Sequence, residues 1–279
     1  MKQLKIHIRD LSMTFPGGAR GAMVHVLEHI ELEVAAGEFV CLVGQSGCGK
    51  STLLNLMGGF LRPTAGATLI DGAPVSAPDV RRIFIFQENA LFPWLTVEEN
   101  IGFGLMHRPR AVREQVVAHY IEMVGLAGFE CSYPHELSGG MKQRVELARA
   151  LAANPDVLFM DEPFGALDFL TRLRMRLELV RIWQRERKTI VFVTHDVEES
   201  VQLADRVVVL SRRPAKIRRI VDIDLPRPRD LDSPDYLRLR DEIFATLGLD
   251  HTGGSQTAAS PCTNGGQAQP DNCVVSGEA

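Results

Sequence analysis

Polar and apolar positions alternate from Leu4 to Phe15, the period of a strand with one face in a core, and Pro16-Gly17-Gly18 then turns the chain. Val24 to Val34 offers a second strand pair, so an antiparallel sheet is expected at the start. The pattern changes at Phe39 to Val43, which is apolar throughout and reads as a strand buried on both faces. A glycine-rich stretch separates it from a helix-like run, Leu53 to Met57. Leu61 to Gly66 then marks a loop, Ala67 to Ile70 a short strand, Asp71-Gly72 a turn and Arg82 to Gln87 a further buried strand.

From Glu88 to about Ala153 the period becomes helical, over Arg110 to Val124 and Gly140 to Ala152 above all, with Pro93, Gly102, Gly104, Gly125 and Gly128 as breaks. This predicts a helical insertion. Strands return at Val157 to Met160, Thr189 to Thr194 and Arg206 to Leu210, separated by helices at about Thr171 to Arg187 and Val197 to Leu203. Alternating strands and helices imply a parallel sheet covered on both faces. Ile217 to Ile223 could add an edge strand and Pro234 to Leu247 an amphipathic helix. From Thr252 onward large apolar residues are nearly absent, so a disordered tail over 251–279 is expected.

The length, 279 residues, holds one large domain or two small ones. A net charge of −4 with 24% charged residues argues against a general nucleic-acid binder. No apolar run approaches the ~20 residues of a membrane span, and the start alternates charge with apolar residues instead of forming a signal sequence, so a cytosolic chain is expected. The five cysteines, Cys41, Cys48, Cys131, Cys262 and Cys273, form no C-x-x-C pair and support neither a disulfide framework nor a zinc site.

The chemistry centres on Gly44-Gln45-Ser46-Gly47-Cys48-Gly49-Lys50-Ser51-Thr52, which matches G-x-x-x-x-G-K-[ST] between a strand and a helix. Such a loop turns backbone N–H groups toward one point, and the helix dipole adds positive potential there, so a polyphosphate is the expected occupant. Lys50 would reach the β- and γ-phosphates and Ser51 would offer its hydroxyl to Mg²⁺. The apolar run Val157 to Met160 ends in Asp161 and Glu162, and a carboxylate at the sheet's carboxyl edge suits Mg²⁺ or its water. Glu162, one residue on, could accept a proton from an attacking water. Leu137-Ser138-Gly139-Gly140-Met141 sets a hydroxyl and two glycines before another helix; it is either a second anion cradle or a helix capped by Ser138.

That second stretch resembles the signature motif of ATP-binding cassette (ABC) ATPases, and the rest of that family's set follows in order over residues 4 to about 248. Gln87 looks like the Q-loop glutamine, Gly165-Ala166-Leu167-Asp168 like the D-loop, and Thr194-His195-Asp196 like the H-loop; Phe15 stands where the family stacks an aromatic ring on adenine. The resemblance implies an α/β P-loop ATPase of ABC type, with a mostly parallel core sheet, an N-terminal antiparallel β subdomain and a helical subdomain at about 88–153, all within 1–250. It implies ATP and Mg²⁺ as ligands, with Gln87 sensing the metal and His195 contacting the γ-phosphate. It also implies a head-to-tail homodimer in which Ser138, Gly139 and Gly140 of one copy close over the nucleotide of the other. Met141 departs from the usual glutamine, outside the phosphate-contacting residues.

The segments 86–100, 210–214 and 225–229 look more narrowly like importer ATPases of the nitrate, aliphatic sulfonate and taurine group. That likeness implies a permease partner whose short helix enters a groove near Leu91, Phe92 and Trp94, a substrate-binding protein acting through the permease, and residence at the cytoplasmic face of the membrane. The same aromatics could instead fill the insertion's own core. A nucleic-acid-associated ABC ATPase, an exporter or lipoprotein-release subunit, and a simple P-loop kinase or GTPase are the competing readings. No nucleic-acid partner is expected. The run Arg212, Arg213, Lys216, Arg218 and Arg219 reads as a solvated strand edge. Cys48, beside Lys50 and a helix start, is a candidate for alkylation that would block the nucleotide.

Overall fold

The computed structural model describes residues 3–17, 22–87, 90–165 and 167–249; the expected tail at 251–279 lies outside them. Leu4–Pro16 (β1) and Met23–Ala35 (β2) pair antiparallel, with Ile6 opposite Val34 and Phe15 opposite Val24. Residues 24–34 therefore form part of one strand and not the expected pair. Ile30, Leu32 and Val34 keep one buried face, and bulges near Leu11 and Met13 bend both strands without breaking them. Lys50–Gly58 (α1) follows Phe39–Val43 (β3). Ala65–Ile70 (β4) and Ala73–Pro74 (β5) complete a four-stranded sheet of order β2-β1-β4-β5, joined at Asp71 and Gly72, both of positive φ.

The second sheet holds β3, Arg82–Ile85 (β6), Val157–Asp161 (β7), Thr189–Thr194 (β8), Arg206–Leu210 (β9) and Ile217–Asp222 (β10), in the order β10-β9-β3-β8-β7-β6. Every pairing is parallel except that of the edge strand β10 with β9. Period-two alternation sorts the side chains. Phe39, Cys41 and Val43 join one core cluster with Leu158, Met160 and Phe192; Val40 and Leu42 join the other with Phe159, Val191 and Val193. The second cluster is roofed by α1 and by Ile6, Ile8 and Leu11 of the antiparallel sheet. Strand β6 ends at Ile85 and is only half-buried, short of the expected buried run to Gln87, because it is the sheet's far edge and Phe86 and Gln87 step out into solvent.

Between β6 and β7 lie Val97–Gly102 (α2), Arg110–Met123 (α3) and Gly139–Ala152 (α4). Thr96 and Glu99 cap α2 reciprocally, side chain to backbone in both directions. Phe169–Glu186 (α5), Val197–Leu203 (α6) and Pro234–Leu247 (α7) pack on the first cluster's side of the sheet. The chain's descent to α7 is pinned by two arginines. Arg227 pairs with Asp205 at 2.7 Å and lies over the Trp183 ring, while Arg229 donates to the carbonyls of Val201, Ala204 and Ile223.

Helix α4 also grips the segment after β6. Arg149 donates to the Ala90 carbonyl at 2.8 Å and lies over the Phe92 ring, and the Ala90 N–H meets Glu146 Oε1 at 3.4 Å. Glu146 is buried, its Oε2 has no partner among the described residues, and desolvation pushes its carboxyl up to about 7 against the opposing pull of Arg149 and the Ala90 N–H. Between its ordinary value of 4.5 and that value of about 7, the native state holds a proton the unfolded chain has lost, so stability falls as pH rises through this window. Glu146→Gln should remove up to roughly 3 kcal/mol of that pH dependence. Urea unfolding of both proteins at pH 5 and pH 8 measures it; parallel pH dependences would show that Glu146 ionises normally.

Candidate functional site

The loops after β3, β8, β7 and β6, neighbours in the sheet, leave one carboxyl edge side by side. The first is Gly44 to Gly49. A Cβ on Gly44 would stand 2.8 Å from Cys48 Sγ, and Gly49, at φ 124°, would press one against Val26 Cγ1 at 2.9 Å, so the loop closes only on glycine there. Gly49 begins α1 without a side-chain cap, which leaves the first N–H groups to an incoming acceptor. Lys50, 5% exposed, bends its ammonium back to the carbonyls of Gly44 (2.8 Å) and Gln45 (3.2 Å). Ser46 and Gly47 form the exposed crest, and Thr52 lies half-buried one residue beyond Ser51.

Strand β7 and the residue after it bring two carboxylates to this edge. Asp161 accepts a hydrogen bond from the exposed Ser51 hydroxyl; desolvation raises its pKa, Ser51 and Lys50 oppose that, and neighbouring Glu162 adds to it. Glu162 turns away at φ 45° while its N–H continues the ladder to Val193 O at 2.9 Å. Its carboxylate meets His195 Nδ1 at 2.9 Å and lies 3.9 Å from Lys50 Nζ. Gln87 brings its amide to the same turn, 3.7 Å from where a Gly165 Cβ would stand. Ser51, Asp161 and Gln87 offer hydroxyl, carboxylate and amide oxygen, a donor set that suits Mg²⁺ shared with phosphate and not a softer metal.

Ser138, Gly139, Gly140 and Asp168 belong to a different place. Ser138 caps α4 through the Met141 N–H and Asp168 caps α5 through the Thr171 N–H; the Thr171 hydroxyl, and then its N–H, hold the Asp168 carboxyl below the usual range. The two segments touch, since a Cβ on Gly140 would reach Thr171 Cγ2 at 2.6 Å. Among the described residues, no hydrogen bond or ion pair joins either to the phosphate loop. Phe15 is half-buried on β1 and packs on the cluster that includes Cys48 and Leu53. Leu91 and Phe92 are partly buried, whereas Trp94 is 69% exposed beside a groove of about 880 Å³ between α2 and α3.

One reading of the sequence needs correction and another needs extension. The basic run is exposed throughout, as expected, but it also reaches the phosphate loop: Arg212 Nε donates to Gln45 Oε1 at 2.9 Å and Arg213 to the Gly47 carbonyl at 2.6 Å. The signal was the strand order, because β9 lies beside β3 and its following loop must meet the phosphate loop. Cys48 is 3% exposed, its sulfur turned under Gly44 toward the core, so it lacks the access alkylation requires.

Comparison with known proteins agrees with this geometry. The ABC transporter family model matches residues 27–165. An aliphatic sulfonates import ATP-binding protein of Bacillus cereus is 43% identical over 241 residues, 86% of this chain and 95% of that one. A nitrate import ATP-binding protein of Synechocystis is 44% identical over 268 residues, 92% of this chain and 100% of its own. A solved dimeric ATP-binding cassette in a post-hydrolysis state, bound to ADP and Pi, superposes with TM-score 0.67 at 30% identity, covering 78% of this chain and 98% of that one. Fold and site together define a P-loop ATPase of the cassette class. The chain belongs to the ABC transporter ATP-binding family.

Brief treatment of the native protein with N-ethylmaleimide should label the exposed Cys131 and spare the buried Cys41 and Cys48. Peptide mass spectrometry reads the pattern; labelling of Cys48 as fast as Cys131 would contradict the packed loop.

Proposed function

We propose that this chain is the ATP-hydrolysing subunit of an importer for nitrate, aliphatic sulfonates or taurine, held at the cytoplasmic face of the membrane by a permease. The observation that carries the reading is Glu162, whose carboxylate lies between His195 and Lys50 beside the phosphate loop. In this reading the triphosphate lies along 44–52, with Lys50 on the β- and γ-phosphates and adenine on Phe15. Ser51, Asp161 and Gln87 would hold Mg²⁺, which would neutralise charge on the phosphate oxygens. Glu162 orients a water and takes its proton as the water oxygen attacks the γ-phosphorus and the bond to the β–γ bridging oxygen breaks. His195, with Nδ1 on Glu162, leaves Nε2 for the γ-phosphate.

Two copies would pair head-to-tail, so that Ser138, Gly139 and Gly140 complete the partner's site with Asp168 beside them. Their lack of bonds to their own phosphate loop supports this, as does the dimeric solved relative. The groove edged by Trp94, Phe103 and Met106, with Glu98 and Glu99 at its polar side, suits an amphipathic permease helix. No helix among the described residues is long and apolar enough to cross a membrane. Choice of substrate would rest with the permease and its binding protein.

Glu162→Gln should retain ATP binding and hydrolyse about 10²-fold more slowly or worse; unchanged turnover would move the proton acceptor elsewhere. Affinity purification of that variant from detergent-solubilised cells with ATP should recover a multi-span permease, and Trp94→Ala with Phe103→Ala should lose it. Recovery of soluble or ribonucleoprotein partners alone would overturn the importer assignment.

A further inference from the structure

His195 is exposed, and Glu162 is the one side chain bonded to its ring among the described residues. A ring so lightly held takes its position from the backbone on either side, and both sides are tied to one buried cation. Arg176, in the second turn of α5 and 7% exposed, donates from Nη2 to Asp196 Oδ2 at 2.6 Å, from Nε to Glu199 Oε1 at 2.9 Å and from Nη1 to Gln202 Oε1 at 3.3 Å. The second Glu199 oxygen accepts from Thr194 Oγ1 at 2.5 Å, and that hydroxyl accepts from the Asp196 N–H at 3.0 Å. Asp196 Oδ1 accepts from the Glu199 N–H at 3.1 Å and so caps α6. Thr194 and Asp196, the residues immediately before and after His195, are therefore members of one closed ring of hydrogen bonds. The ring is buried on one side, with Thr194 2% and Glu199 4% exposed, while Asp196 stays partly open to solvent.

Resting on the role of His195 given above, we propose that Arg176 is a positioning residue that fixes His195 against Glu162, and that it ties this histidine to α5, the helix that starts at Asp168. Docking α5 on α6 would by itself need only apolar contact, since a buried ion pair is a poor source of stability. The planar fork is what this place requires: it serves two carboxylates and an amide at once, whereas an ammonium acts as a single point charge.

The test is ATPase kinetics of Arg176→Lys and Asp196→Asn, alone and combined with His195→Ala. Asn keeps the helix cap and drops the charge that faces Arg176, so it serves should the lysine variant fold poorly. Each variant should lower kcat about tenfold and leave KM for ATP within about twofold, and should add little to the loss caused by His195→Ala. In protein labelled with ¹³C-histidine, the ring resonance that His195→Ala removes should move in both variants while His7 and His25 stay in place. An unchanged kcat with an unmoved resonance would overturn the proposal, as would an equal further loss in the His195→Ala background. Full activity of His195→Ala itself would instead overturn the role of the histidine, and this proposal with it.

Discussion

Parallel pairing of β3, β8 and β7 in close register is the constraint on which this molecule depends. Val43 lies opposite Thr194 and Asp161 opposite Val193, so three loops begin at nearly the same height on one edge. Strands buried on both faces can hold that register only if their side chains interdigitate with layers above and below. The antiparallel sheet with α1 on one side and α5, α6 and α7 on the other supply those layers. The separation of 2.9 Å between Glu162 and His195 follows from strand register more than from anything the two residues do for themselves.

Most elements were legible because their signals are local. The apolar runs at Val157 to Met160, Thr189 to Thr194 and Arg206 to Leu210 became β7, β8 and β9 with little adjustment, since a strand buried on both faces has no polar position to blur its ends. The phosphate loop was legible as a motif between a strand and a helix, and Gly44 is required within the loop itself, by Cys48 Sγ, whereas Gly49 is required by Val26 of β2. What escaped was non-local. The length of β2 depends on pairing with β1, and the shortness of β6 on having no neighbour beyond it. Cys48 looked reactive from its neighbours in sequence, but it is buried in a cluster that draws on Val26, Ile30 and Leu210, all far from it along the chain.

Charged residues in the interior show the same limit from the energetic side. Glu146, Arg176, Glu199 and Arg229 are expensive to bury, and in sequence each resembles an ordinary polar face of a helix or loop. In the fold each is bonded to a segment other than its own. Arg229 donates to the carbonyls at the end of α6, and Arg176 is bonded to the side chains at its beginning, so that helix is held at both ends.

The grip of α4 on the segment after β6 has a mechanical consequence. At 14 residues α4 is a stiff rod of about 21 Å. One end carries Ser138 and its two glycines; the side of the rod, two to three turns on, carries Glu146 and Arg149 with Ala90 and Phe92. A rod cannot take up displacement along its length, so a shove delivered to the 90–94 segment arrives at Ser138 as a translation of similar size. The amide of Gln87, three residues before that segment, lies by the Glu162 turn. The partly exposed segment at 90–94 and the cap at Ser138 are thus held on one rigid element, outside the sheet.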